Sequence, residues 1–212
     1  VSLGSIFTFR QDLIRPTDET DAHITFVGPE HIEKNTGKRN GEVPLHASEL
    51  KGRKFRFSPG EIVYTYLRPY LNKVWVATME GVCSVDQYVL QVDSKRADVH
   101  FVRYAMLSPQ FVAEAERLTH SLQLPRLRSK LLACIDIPLP PLAEQKRIVA
   151  KVDQLMAMLD DLEQRQEKKR GGRREAAGNR DQETDQHRGE RERHDHPPRT
   201  RARRIADGVV QG

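Results

Sequence analysis

Two cysteines, Cys83 and Cys134, are all the thiol chemistry the chain carries. They are too few and too far apart for a disulfide framework or a thiolate metal site. No run approaches the roughly 18 apolar residues that a membrane-spanning helix requires. The opening VSLGSIFTFRQD lacks the basic and apolar regions of a secretory signal, so a soluble cytoplasmic protein is the expectation. Catalytic motifs are missing too. Thr36-Gly37-Lys38-Arg39 ends like a phosphate loop, but Arg39 replaces the hydroxyl residue that holds magnesium and Ile32 stands in place of the first glycine. No G-x-G-x-x-G, G-x-S-x-G, H-E-x-x-H or paired C-x-x-C occurs, nor a glycine-rich methyl-donor loop. His194-Asp195-His196 has ligand-type side chains, but next to Pro197-Pro198 in a polar tail no fold fixes their geometry. The expectation is a binding protein, with no catalytic residue and no metal ligand of its own.

What is present is charge, unevenly placed. The net charge of +5 over 212 residues comes entirely from Lys168 onward, where 13 Lys/Arg face 8 Asp/Glu; residues 1–167 hold 22 of each. Whole-chain charge is therefore no argument for nucleic acid. Local charge is a better one. Between Lys34 and Lys73 there are nine Lys/Arg against Glu42, Glu49 and Glu61, enough for a phosphate-attracting patch if the fold gathers them. A scattered, solvated surface is the alternative.

Composition also divides the chain. Residues 168–204 contain no Val, Ile, Leu, Met, Phe, Trp, Tyr or Cys. Such a stretch buries too little apolar area to offset its ordering entropy, so disorder, or a frayed helix at best, is predicted. Ahead of it, SIFTF, HITFV, EIVYTYL, KVWVATM and CSVDQYVLQV read as strands, with RPTDETD, NTGKRNG and LRPY as connections. Helical spacing follows over Asp98–Ser108 and Gln110–Thr119, split by Ser108-Pro109, and CIDIPLPP reads as an exposed or edge strand. The clearest element begins at Pro141. Ile148, Val152, Leu155, Leu159 and Leu162 are spaced four, three, four and three apart, a coiled-coil seam facing a partner helix. A helix packed on its own domain is the competing reading, although no second seam exists in the chain.

Several segments in order, EIVYTYLRPYLNKVWVA, GVCSVDQYVLQV, LPRLRSKLLACIDIPLPPLAEQKRIVAKVD and the heptad helix after them, resemble the DNA specificity subunit of type I restriction-modification systems. The most specific piece is Ile137–Asp153, which resembles that family's junction between a target-recognition domain and its helix. The resemblance implies an α/β (α+β) target-recognition domain over 1–140, a spacer and dimerisation helix over 141–167 forming a coiled coil, and a disordered charged tail over 168–212. It also implies a non-catalytic reader of double-stranded DNA that holds methyltransferase subunits and, in restriction complexes, motor-nuclease subunits. S-adenosylmethionine, ATP and Mg2+ then belong to those partners and no cofactor to this chain.

A complete subunit of that family has two recognition domains, and this chain has one. Two copies pairing through the seam, a second half-subunit, or a truncated fragment acting only as a coiled-coil partner are the options. The tail has the composition of GC-rich DNA read out of frame, which leaves a frameshift near residue 167 and a native basic tail as its two explanations.

Phosphate contacts need cations or N–H groups, and base reading needs planar donors on loops. The candidates are Lys34, Asn35, Lys38 and Arg39; Arg53, Lys54 and Arg56; Arg68, Asn72 and Lys73 within LRPYLNK; and Gln123, Arg126 and Arg128. Trp75 and Phe101 lie in apolar periodic runs and are assigned to the core.

Overall fold

The computed structural model describes residues 1–15, 23–46, 49–119 and 123–194. Two compact units emerge, 1–154 and 155 onward. Within the first, β1 (Phe7–Phe9), β9 (Gln87–Val92), β6 (Ile62–Thr65) and β7 (Val74–Val76) form an antiparallel four-stranded sheet in that spatial order. A second, mixed sheet runs β2 (Leu13–Ile14), β5 (Lys54–Phe57), β8 (Gly81–Cys83), β3 (His23–Val27), β4 (Val43–His46), with β3 and β8 parallel. Helices α1 (Val99–Leu107), α2 (Pro109–Arg117) and α3 (Ser129–Cys134) complete the unit, and α4 (Leu142–His194) leaves it.

The four-stranded sheet is the middle layer, which explains why its strands are apolar without alternation. Ile62, Tyr64, Val74, Val76 and Leu90 point toward the helices and pack with Val102, Met106, Phe111, Leu127 and Leu132. Val63, Trp75 and Val89 point the other way, onto Val27, Phe57 and Cys83 of the second sheet. A strand covered on both faces has no solvent side on which to place polar residues. Trp75 and Phe101 are core residues, as their patterns predict. Burial pushes the Cys83 thiol up to about 12, which leaves it a packing group. Gly81 is obligatory for a different reason: a Cβ there would stand 2.5 Å from the Thr25 carbonyl oxygen, so only glycine lets β8 lie this close to β3.

Local chemistry sets the helix starts. The Asp98 side chain accepts from the amides of His100 and Phe101, and Ser108 accepts from Phe111 with Pro109 in the first turn of α2. Two readings need correction. CSVDQYVLQV is two strands, because Ser84–Asp86 turns: Gln87 accepts from the Ser84 amide through Oε1 while its own amide donates to the Ser84 carbonyl. CIDIPLPP is no exposed strand; it makes a single bridge, Ser2 to Asp136, and buries Ile135 and Ile137 in the helix-side core.

The compact unit also runs past residue 140, to Gln154, because the start of α4 is bonded into it. Gln145, 0% exposed, accepts from the Asp98 amide and donates to the carbonyls of Arg96 and Pro140. α4 continues as a helix to His194, and Glu, Gln, Lys and Arg, good helix formers, dominate its last part. Residues 195–212, including Asp195 and His196, lie outside the described residues, as does most of the predicted RPTDETD connection.

Candidate nucleic-acid interface

The β6–β7 connection organises the basic residues. Pro69–Leu71 forms one 3-10 turn, flanked by Arg68 (φ 54°) and Asn72 (φ 41°), both left-handed. Non-glycine residues held there cost about 1 kcal/mol or more each, and such strain clusters at functional sites. Two further loops dock on this connection. On one side the Arg68 amide donates to the Pro125 carbonyl, the Leu127 amide to the Tyr66 carbonyl, and Leu67 bridges Arg126. The Arg68 and Arg126–Arg128 segments are thereby brought together, and Arg68, Gln123, Arg126 and Arg128 are all exposed.

Arg126 and Arg128 line an open cavity of about 750 Å³ together with Tyr66, Tyr88, Leu124 and Leu131. The two tyrosine rings stack at 4.4 Å. Burial raises both phenols, for Tyr66 with Asp86 adding to it and Arg126 partly opposing it, so both stay donors. Tyr66 donates to the Val85 carbonyl and Tyr88 to that of Leu127. Cations on a rigid apolar wall suit phosphates and base edges.

On the other side the Asn35 amide, itself left-handed at φ 62°, donates to the Asn72 carbonyl, which seats the Lys34–Asn40 loop. Lys34, Asn35 and Lys38 are exposed there. Glu33 accepts from Asn40 and Thr36, which holds its carboxyl below the usual range and closes the loop.

Three predicted contact residues turn out to be engaged by the fold itself, and a fourth is buried. Asn72 is 1% exposed, inside the structure instead of on a DNA-facing surface. Lys73 donates to the Pro29 carbonyl at 2.5 Å. Arg39 donates to the Gly41 carbonyl and to Glu42 and lies over the Trp75 ring. Lys54 donates to the Lys51 carbonyl and lies over Phe26.

Arg53, Lys54 and Arg56 belong to the other sheet. Arg53 is exposed, while Arg56 lines a 260 Å³ cleft with Arg10 and Glu80. The basic stretch Lys34–Lys73 is thus three places on the unit, not one patch.

On α4, Ile148 and Val152 are half-buried, whereas Leu155, Leu159 and Leu162 are 49%, 53% and 52% exposed. Sequence reading missed Gln145. Its signal was available: it sits three residues before Ile148, on the extrapolated seam, a polar residue in an apolar position. Among the described residues no three His, Cys, Asp or Glu are placed to hold a metal, and no helix is long and apolar enough to cross a membrane.

The family described as "Type I restriction modification DNA specificity domain" matches residues 3–170, ending where apolar residues stop. The chain is 38% identical over 137 residues to the EcoDI type I restriction enzyme specificity subunit of Escherichia coli, covering 65% of this chain and 30% of that protein. The HsdS subunit from Thermoanaerobacter tengcongensis superposes with a TM-score of 0.69 at 23% identity, over 77% of this chain and 43% of that one. A chain from a structure addressing complex assembly and conformational transition of the type I R-M system gives 0.66 at 24%, with the same coverages. The present chain therefore spans less than half the length of these relatives.

Proposed function

Since the chain belongs to the type I restriction-modification DNA specificity family, we propose that it reads a specific double-stranded DNA sequence and holds methyltransferase subunits, and in restriction complexes the motor-nuclease subunits, on it. It acts in the cytoplasm and carries no catalytic group. The methyl donor, ATP and Mg2+ are handled by the partners. The observation that carries this reading is the hydrogen-bonded junction at Arg68, where Arg126 and Arg128 lie beside the stacked tyrosines. Side chains that scatter along the sequence meet there on a scaffold with little freedom to move, as base reading requires.

Cations at the edge of that surface neutralise phosphates. Arg126 and Arg128 suit guanine O6/N7, and Gln123 suits adenine N6/N7. Lys34, Asn35 and Lys38 supply further phosphate or base contacts from the neighbouring loop, and Arg53 a phosphate contact from the second sheet. The seam Ile148–Leu162 pairs with a second copy or with another half-subunit, giving two readers and a gapped target. With two identical copies the protein symmetry passes to the DNA, and the target is a palindrome.

Methylation-aware long-read sequencing of host DNA, with and without the gene, tests the function. The expected result is one gapped motif that loses its methyl mark on deletion. An unchanged methylome overturns the reading and leaves a coiled-coil interaction fragment. With the motif in hand, Arg126→Ala or Gln123→Ala should weaken cognate binding by about 1–3 kcal/mol more than binding to scrambled DNA. Lys34→Ala, at an exposed lysine, should weaken both alike and flatten the salt dependence by about one unit. Anisotropy titrations at three salt concentrations measure both, and equal losses on both DNAs for Gln123 would count against base reading.

A further inference from the structure

The Lys34–Asn40 loop rests on α1 at one point. Gly37, buried and at φ +71°, leaves little room for a side chain: a Cβ there would stand 3.0 Å from Leu107 Cδ1 and 3.3 Å from Arg103 Cδ. The loop backbone therefore lies against the Leu107 and Arg103 side chains. Arg103 is held from the opposite direction. Its guanidinium lies over the Tyr104 ring at 4.3 Å, and Nη2 is 4.0 Å from Asp153 Oδ1 on α4, which also accepts a hydrogen bond from the Tyr104 hydroxyl. Asp153 thus aligns the ring and the guanidinium together. No base or phosphate contact is needed for it to matter.

We propose that Asp153 is a positioning residue for sequence reading: acting through Arg103 and Tyr104, it sets the floor beneath Gly37 and so the height of the Lys34–Asn40 loop. The proposal rests on the DNA-reading function above. It carries a sign that a surface acid could not produce. Removing a negative charge from a protein that binds a polyanion strengthens its hold on any DNA. Loss of the Arg103 support does the reverse, and only on the site that the loop must fit. Asp153→Asn keeps the shape and an acceptor for Tyr104 while discarding the charge that holds Arg103.

In the full chain, Asp153→Asn should raise the Kd for the methylated motif's sequence about tenfold and leave the Kd for scrambled DNA unchanged or up to threefold lower. Glu163→Gln, which removes an exposed acid farther along α4, should shift both DNAs in the same direction. Hydrogen exchange without DNA gives the independent reading. Amides at 35–38 should exchange about tenfold faster in Asp153→Asn, with the amides of β6 and β9 unchanged. A specificity ratio within twofold of wild type, unaltered loop exchange, or acceleration throughout the unit each overturns the proposal. A wild-type chain with no preference for the motif, with loop exchange still accelerated, overturns instead the DNA-reading function on which the proposal stands.

Discussion

Glu61→Ala is expected to destabilise the recognition unit by about 3–5 kcal/mol, a drop of about 10 °C in Tm. Glu61 is only 7% exposed, and its carboxylate accepts four hydrogen bonds from three donors. It accepts from Arg10 Nη1 at 3.0 and 3.1 Å, from the Ser58 amide at 2.7 Å and from Gln91 Nε2 at 2.7 Å. Arg10 also reaches Ser58 Oγ and Asp12. Arg10 follows β1, Glu61 precedes β6 and Gln91 is on β9, whereas Asp12 precedes β2 and Ser58 follows β5. One carboxylate therefore joins the ends of both sheets.

Truncating it leaves the Ser58 and Gln91 N–H groups without their acceptor and a partly buried guanidinium with Asp12 as its remaining counter-charge, and that is the costly way to break such a network. Urea unfolding should show a lower midpoint with an unchanged slope. A midpoint within experimental error of wild type would mean the network carries no net stability. Replacing Arg10 and Glu61 together by Met and Leu should cost less than Glu61→Ala alone, since no orphaned charge remains.

The second large effect is on association. Leu155→Asp with Leu159→Asp is expected to weaken pairing through α4 at least 100-fold. Each leucine is about half-exposed in the single chain, and burying such a side chain is worth roughly 1.5–3 kcal/mol, before the repulsion between facing carboxylates is added. Sedimentation over a range of concentrations should show a wild-type dimer and a monomeric variant. Both residues lie past Gln154, so melting of the recognition unit should not change. Wild-type monomers at 100 µM would refute self-pairing and leave a different half-subunit as the occupant of the seam.

Most of the fold was legible because hydrophobic pattern controls it. EIVYTYL and KVWVATM could only be strands of a covered sheet, and Ser108-Pro109 marked a helix boundary that the Ser108 cap confirms. The misses have one origin: contacts between residues far apart in sequence. Ile135 and Ile137 look like an exposed proline-rich edge until the chain's first three residues are seen to bond with them, as the Leu3 amide does with the Ile135 carbonyl. At the interface the residue types were readable and their employment was not. Arg39 and Lys73 are as polar as Arg126, yet only three-dimensional structure distinguishes cations facing solvent from those answering a carbonyl or a ring. The partners of Gln145 and Asp153 were hidden for the same reason, since they lie 47 to 50 residues upstream.

The left-handed backbone at Arg68 has a bearing on protein engineering. Glycine is the residue that this conformation favours, and Arg68→Gly would relieve on the order of 1 kcal/mol of strain. A library enriched only by surviving heat would therefore drift toward glycine at position 68 and discard an exposed guanidinium beside Gln123 and Arg126. The hardier offspring would be worse readers, and a selection for this scaffold needs DNA in the tube.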